Sequence, residues 1–586
     1  MILKVWGRVV FVAAGITLLL NTARLPVATA IAGQSQSLNQ QWDAFVDEAL
    51  DTFFQYSPAR ATSLGLHQYD TKTEDTSRAA LGREITALHG LEKRAGGFNL
   101  SNLPESVRED QELLVSKLRG RLLDLEQIRG WEKNPDFYSG GASRTIFTLI
   151  SRRFAPPEER LRSVIAREQQ LPKWFENARE NLKNPPRIFT EIALKQLPGI
   201  ISFFQKDVPQ AFTDVKDQKL LASFKESNDT IVNALNQYQD FLLKELLPKS
   251  QGDFAIGTAT YQKKLLYDEM VDVPVSRLLE IGYADLERNK KELQEAATKA
   301  FPGTTVEEAL SLLGRDHPAP DKILDAFGAN FSGLRAFIEQ HHIIRIPSPE
   351  SPELQETPPF ARALTFASMN SPGAFEKVAT NAFFNVTLPE ADWKPEQVAQ
   401  HLEFFNNYAI IDIAIHEAYP GHYTQFLYVR TEPLSKIRQV FGCSSNAEGW
   451  AHYVEQMMLE EGFGNGDPKL HMAQLQGALI RDARYIAGIS MHTQKMTLEQ
   501  ATELFEKQAH MPHGPALREA MRGTSDPTYL VYTLGKLEIL KLRRDYQKQK
   551  GNQFSLEDFH TRFVQQGYPP IRLIREALLG RPGVVL

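Results

Sequence analysis

The sequence predicts a mainly α-helical protein with one small region of β-structure. Apolar residues recur at three- and four-residue spacing through long segments such as Asp110 to Arg129 and Glu226 to Leu247, which is the period of a helix with one buried face. Proline pairs, Pro156-Pro157 and Pro185-Pro186, punctuate these segments. The best strand candidate is Asn381 to Leu388, closed by Pro389. With 586 residues and 42% hydrophobic content, the chain can bury a core large enough for several lobes.

At the N-terminus, Lys4 and Arg8 supply positive charge and Val9 to Leu20 an apolar core. Small residues follow in Ala28-Thr29-Ala30 and Ala30-Ile31-Ala32, which predicts an export signal over residues 1–32. The apolar segment is shorter than the about 20 residues a membrane span needs, so no stable membrane insertion is expected after cleavage. An uncleaved anchor is the alternative. No cysteine lies near this segment, which argues against a lipoprotein anchor and for an exported, periplasmic or extracellular bacterial protein.

A first helical lobe is predicted over 37–270 and a second over 271–586. In the second, a helical run from Val273 through Ala300 stops at Pro302-Gly303, and Pro347 to Pro359 reads as a loop. Pro395 fits the first turn of a helix leading toward His416. Helix is expected again from after Lys469 to about Gln549, with a short one around Leu556 to Gln566.

A net charge of −6 and a pI near 6.2 give no electrostatic case for nucleic acid. The single cysteine, Cys443, excludes an intramolecular disulfide and reads as a small buried apolar group.

The chemistry concentrates in His416-Glu417-Ala418-Tyr419-Pro420-Gly421-His422. Zinc peptidases need two neutral imidazoles on the metal and a carboxylate beside it to take a proton from water. The usual spacing places the histidines at i and i+4; here they are six apart. On a regular helix that separation is roughly 120° around the axis and about 9 Å along it, too far for one ion. Pro420 lacks the N–H owed to the carbonyl of His416, and Gly421 accepts unusual dihedrals. A turn widened by two residues would bring His422 back beside His416.

Farther on, Glu448-Gly449-Trp450-Ala451-His452-Tyr453-Val454-Glu455 supplies a third acid. Ser445-Asn446-Ala447-Glu448 also fits a helix capping box, so Glu448 has two readings, cap or metal ligand. His452 and Glu455 share its helical face, either as packing residues or as groups that orient the ligands.

Together these two motifs resemble the family catalogued as domain of unknown function 885, whose pattern joins H-E-x-x-P-G-H-x-x-Q to E-G-W-A-x-Y-x-E. Weaker likenesses are Ser57-Pro58 through Asp70 and Tyr532-Thr533-Leu534-Gly535-Lys536. The resemblance implies a zincin-like, gluzincin-related fold of two helical lobes, with a cleft and a small sheet near the metal. It implies one Zn2+ per chain on His416, His422 and Glu448. It makes Tyr532 the candidate oxyanion donor, with Tyr529 three residues away as the competitor. It also suggests that an extended substrate pairs with the edge of the strand at 381–388. The segment Arg484 to His492 departs from the family, which commonly has an acid where this chain has Gly488. That weakens any acid-dependent role there, including a partner for Arg484. His492, His510 and His513 read as structural or exposed.

The expected function is a zinc-dependent hydrolase of peptide or peptide-like amide bonds, acting on a small peptide or peptide-like substrate, with Glu417 as general base. Two alternatives stand beside it. Two histidines and a carboxylate also form the facial triad of non-heme iron oxygenases, chemistry in which Glu417 has no role. A catalytically inactive peptide-binding protein is the other.

Overall fold

The computed structural model describes residues 37–358, 362, 365–390 and 393–586, so the predicted export signal lies outside the described residues. Helices dominate it. The first, Leu38–Tyr56, starts at a capping box: the Ser37 hydroxyl accepts from the Gln40 N–H, and the Gln40 side chain accepts from the Ser37 N–H. The periodic segments read from the sequence form the helices Glu105–Leu123 and Gln218–Phe241. Each runs on into a wider π turn, Asp124–Ile128 and Leu242–Leu246. Their apolar stripes feed two buried clusters, one around Leu88, Leu113 and Leu118, the other around Tyr138, Phe203 and Leu235.

In the second half, Val275–Ala300 lies along Pro468–Thr493, with Leu278 and Leu286 in one cluster with Leu479 and Ile486. Pro395 does open a helix, Pro395–Phe404, and the late helix forms as Leu556–Val564.

The sheet has three short strands, β1 (Glu353–Glu356), β2 (Ala367–Asn370) and β3 (Phe383–Val386), in the order β1-β3-β2. Pairing is parallel between β1 and β3 and antiparallel between β2 and β3. Two expectations need correction. The proline-rich stretch 347–359 holds a strand, β1, which gains its hydrogen bonds from a partner some thirty positions away. The strand expected at 381–388 forms as β3 but is central. Both its edges are already paired, so an added substrate strand cannot pair there; the outer edges belong to β1 and β2. Phe384 and Val386 pack on one face against Phe327 and Phe331 of the helix Ile323–Gln340.

The helices Ser444–Glu460 and Val531–Lys550 meet at two glycines. A Cβ at Gly449 would lie 2.4 Å from Cα of Gly535, and one at Gly535 would lie 1.8 Å from the Ser445 carbonyl oxygen. Only glycine permits this approach, which sets Glu448 and Tyr532 on helices in backbone contact. Thr533 and Lys536 anchor the second helix from behind, through Asp482 (2.9 Å) and Asp285 (2.9 Å). The early motif has a comparable role: Phe375 N–H donates to the Leu64 carbonyl at 2.8 Å, and His67 bridges Asp70 and Glu376.

Candidate metal centre

The helix Asn407–Glu417 starts at Asn406, whose side chain accepts from the Ala409 N–H, and runs buried through Ala414 and Ile415 to His416. A second helix, His422–Thr431, begins after four intervening residues. Between them the ladder widens. Gly421 N–H donates to Ile415 O at 3.0 Å and Thr424 N–H to Ala418 O at 3.3 Å, each reaching back six residues instead of four. Pro420 follows a cis peptide bond, and its carbonyl accepts the Trp450 indole N–H at 2.9 Å. A Cβ at Gly421 would lie 1.8 Å from the His416 carbonyl oxygen, so the turn requires glycine. The two extra residues return His422 to the side of His416: the rings stand 4.8 Å apart, nearly perpendicular.

Glu448 joins them from a different direction. Its helix starts at Ser444 with Cys443 as N-cap, and Ser445 N–H donates to Glu269. Ser445 therefore sits inside the helix, and the capping-box reading fails. Glu448 Oε2 lies 3.6 Å from Nε2 of His416 and 3.4 Å from Nε2 of His422. Two donors about 2.0–2.1 Å from a tetrahedral ion stand about 3.4 Å apart, so this donor set fits zinc in type and in spacing.

Glu417 is buried, with a carboxylate oxygen, Oε2, that has no hydrogen-bond partner. Glu417, His416 and His422 offer ligand atoms within 4.8 Å of one another. Glu417 therefore stands at the same place as the two imidazoles, with Glu448 facing both of them.

Behind His416 lies a wholly buried carboxylate. Glu455 accepts from Nδ1 of His416 through Oε1 (2.6 Å) and from Nδ1 of His452 through Oε2 (2.9 Å). Arg481 donates to its Oε1 at 2.8 Å. Burial raises the Glu455 carboxyl, but Arg481, His452 and His416 outweigh it and hold the group far below the usual carboxylate range. Burial and the Lys536 ammonium push His452 down to about 3, so it is a neutral ring donating its one N–H to Glu455. Burial would also lower His416, but Glu448 and Glu455 together push it up to about 10. Burial likewise opposes charge on Glu448, and the two histidines more than offset it. Each imidazole thus turns Nε2 toward Glu448, and His416 is fixed in that orientation by Glu455.

His452 and Glu455, which the sequence leaves between packing and orienting roles, are placed to orient. Arg481 is the residue that sequence reasoning missed. It stands three positions before the segment that drew attention, on the α-helix that follows the one carrying Glu455.

Tyr532 is half-buried, with the guanidinium groups of Arg481 and Arg484 at 5.8 and 5.1 Å from its ring centre. Burial, then the nearby Glu448 charge, raises its hydroxyl pKa. Tyr529 is buried instead, and a Cβ at Gly488 would lie 2.9 Å from its ring. Gly488 therefore makes room for Tyr529. Arg484 takes its acid from another helix, through two 2.8 Å bonds to Glu519. His492 is bonded to the Gly523 carbonyl, His510 to Glu307 and His513 to Glu506. Cys443 is buried beside Ser445. None of these four joins the cluster.

A mostly helical protein, with His416, Glu417 and His422 on a broken helix and Glu448 meeting them from another, is thus defined by its own geometry. Residues 58–578 match the family described as "Bacterial protein of unknown function (DUF885)", and the chain belongs to that family. Among solved structures it is similar to one titled a "putative lipoprotein of unknown function" from Shewanella oneidensis. That structure is 28% identical with a TM-score of 0.77, and the match covers 93% of this chain and all of the other. It is also similar to a "putative lipoprotein" from Colwellia psychrerythraea, with 17% identity, a TM-score of 0.80, and coverage of 93% and 99%. The second likeness speaks to fold alone. No curated protein matches this chain. Among the described residues, no helix is long and apolar enough to cross a membrane.

Proposed function

We propose that this protein is a zinc-dependent hydrolase of peptide or peptide-like amide bonds, with a zincin-like cleft between two helical lobes. The observation that carries the reading is the convergence of His416, His422 and Glu448 at ligand spacing, with the unpartnered Oε2 of Glu417 beside them. His416, His422 and Glu448 would hold the ion, one per chain. Once bound, zinc would supply Lewis-acid polarisation of the scissile carbonyl and acidify a neighbouring water.

The rest is done by side chains of this chain. Glu417 takes the proton of the attacking water and delivers it to the leaving nitrogen, so that one carboxylate serves first as base and then as acid. Glu455, braced by Arg481 and His452, keeps the His416 ring in the tautomer that presents Nε2. Tyr532 stands near Glu448 and donates its hydroxyl to the oxygen that gains charge. Export to the periplasm or exterior completes the proposal, supported by the signal-like N-terminus and by the "putative lipoprotein" title of the similar Shewanella oneidensis structure.

The deciding experiment is digestion of a peptide library by the purified protein, with and without a chelator, read by mass spectrometry. Cleavage that stops with the chelator and returns with zinc is expected. No cleavage by zinc-loaded protein, or cleavage indifferent to the chelator, would overturn the reading.

A further inference from the structure

Arg481 is the inner end of a row of arginines that leads outward from the metal centre. Its Nη2 donates to Glu455 at 2.8 Å and lies 3.2 Å from Nδ1 of His416. Arg484 follows three residues later on the helix Pro468–Thr493, on the same face and about 4.5 Å along the axis. The two guanidinium groups flank the Tyr532 ring. Arg522, on the helix His513–Ser525, reaches the Tyr532 hydroxyl from a third side.

Glu455 engages Arg481, but the outer two arginines have donors to spare. Glu519 takes Nε and Nη2 of Arg484, which fixes the plane of the group. The third nitrogen, Nη1, has no partner among the described residues and is accessible to solvent, on a side chain 16% exposed. Arg522 is 42% exposed, and its acid is Asp526, four residues on at 3.2 Å. An exposed pair of that kind holds a side chain only weakly. Arg518 also lies near Glu519. Around the outer side of Tyr532, three arginines therefore meet two acids, in a chain whose net charge is −6.

The Tyr532 hydroxyl is close enough to Glu448 to feel its charge, so a substrate held between the metal centre and Tyr532 runs on toward Arg484 and Arg522. An extended peptide spans about 3.3–3.6 Å per residue, so a carboxylate one or two residues past the scissile bond lies roughly 4–7 Å beyond it. The 5.1 Å from the Tyr532 ring to the Arg484 guanidinium is on that scale.

We propose that Nη1 of Arg484 and the Arg522 guanidinium bind the C-terminal carboxylate of the substrate, so that the protein removes one or two residues from peptides with a free C-terminus. For its reaction this rests on the hydrolase reading; for its binding it does not. Hydrolysis there gives the shortened peptide a new carboxylate, with the water oxygen in it, and gives the released amino acid or dipeptide its amine. An acidic side chain shares the recognition chemistry, but only the terminal carboxylate stands at a backbone-fixed distance from the scissile carbonyl.

The test uses one tripeptide library prepared twice, with free carboxylates and with C-terminal amides. Binding to zinc-loaded Glu417→Gln protein is measured by equilibrium dialysis and mass spectrometry. Free acids should bind about tenfold more tightly than amides, as one charge-assisted hydrogen bond implies. Arg522→Gln, on an exposed side chain, and the paired change Arg484→Gln/Glu519→Gln, which leaves no unmatched charge, should each remove most of that preference. Binding of neither library, equal binding of both, or a preference unchanged in both variants, which would belong to the metal, overturns the proposal. Selective binding of amides that carry Asp or Glu would assign the site to acidic side chains and overturn it as well. Digestion of the same libraries by the wild type separates this proposal from the reading beneath it. Acid-selective binding without cleavage upholds the arginine site and removes the hydrolase. Cleavage of acids and amides alike keeps the hydrolase and removes the arginine site.

Discussion

Nδ1 of His416 lies 2.6 Å from Oε1 of Glu455, a carboxylate with no exposed surface. A buried anion with three donors does not move easily, so the imidazole it holds is fixed in both tautomer and direction. Replacing Glu455 by Gln keeps the shape but weakens the acceptor for His416, His452 and Arg481 at once. Zinc affinity should fall by about 10- to 100-fold, measured by competition with a chromogenic chelator. Unaltered affinity would mean that Glu455 only fills space.

Glu448 offers a sharper contrast. With its helix starting at Ser444, it is not a capping residue, and its Oε2 is within 3.6 Å of both imidazoles. Glu448→Gln should therefore lose most zinc binding while the chelated protein keeps its denaturation midpoint. Retained zinc together with a stability loss of about 1 kcal/mol would restore the capping role.

The turn at Pro420-Gly421 can be tested by size alone. A methyl at Gly421 would sit 1.8 Å from the His416 carbonyl oxygen, which no rotamer relieves. Gly421→Ala must shift one helix relative to the other. We expect a loss of about 2 kcal/mol or more in stability and of stoichiometric zinc. A variant that binds zinc normally would mean that the turn adapts, and that glycine is not required.

How much of this was legible follows from where each signal lives. The broken helix could be read because its causes are local: a residue without an N–H, and beside it one without a Cβ. Strands β1 and β2 could not, since each is four residues long and takes its hydrogen bonds from β3. Arg481 was hidden for a related reason. Its partner Glu455 is 26 positions away on another helix, and no local pattern marks an arginine that neutralises a buried acid. The glycines of the late motifs were visible, but their purpose needed both helices: Gly449 and Gly535 each explain the other.

His67 gives a prediction about pH. Its Nδ1 lies 3.0 Å from Asp70 and its Nε2 3.0 Å from Glu376, while its ring stacks on Phe154. Ionised carboxylates only accept, so both nitrogens carry protons in this arrangement. Burial opposes the charge, but the two carboxylates outweigh it and raise the pKa above its ordinary value. The charged ring is thus favoured more in the folded state than in the unfolded one. Its stabilisation is full below the unfolded pKa of about 6.5 and is lost as pH rises through the raised folded value. The stability difference between the wild type and His67→Gln, from urea denaturation at several pH values, should shrink toward alkaline pH. A difference that is constant with pH would show that the bridge contributes no charge-dependent stability.

Glu417 carries the chemistry. It is buried next to His416, and its buried Oε2 has no hydrogen-bond partner. Glu417→Gln preserves volume and leaves His416, His422 and Glu448 in place, so zinc should remain at about one per chain. The amide cannot accept the proton of the attacking water. If Glu417 is the base, kcat for a peptide found in the library digest should fall by about 10²–10⁴-fold, with a smaller change in KM. The measurement is made on protein whose zinc content has been determined, so that metal loss and base loss are not confused. Near-normal turnover by zinc-loaded Glu417→Gln would remove Glu417 as the base, while the helix break and the ligand geometry would stand.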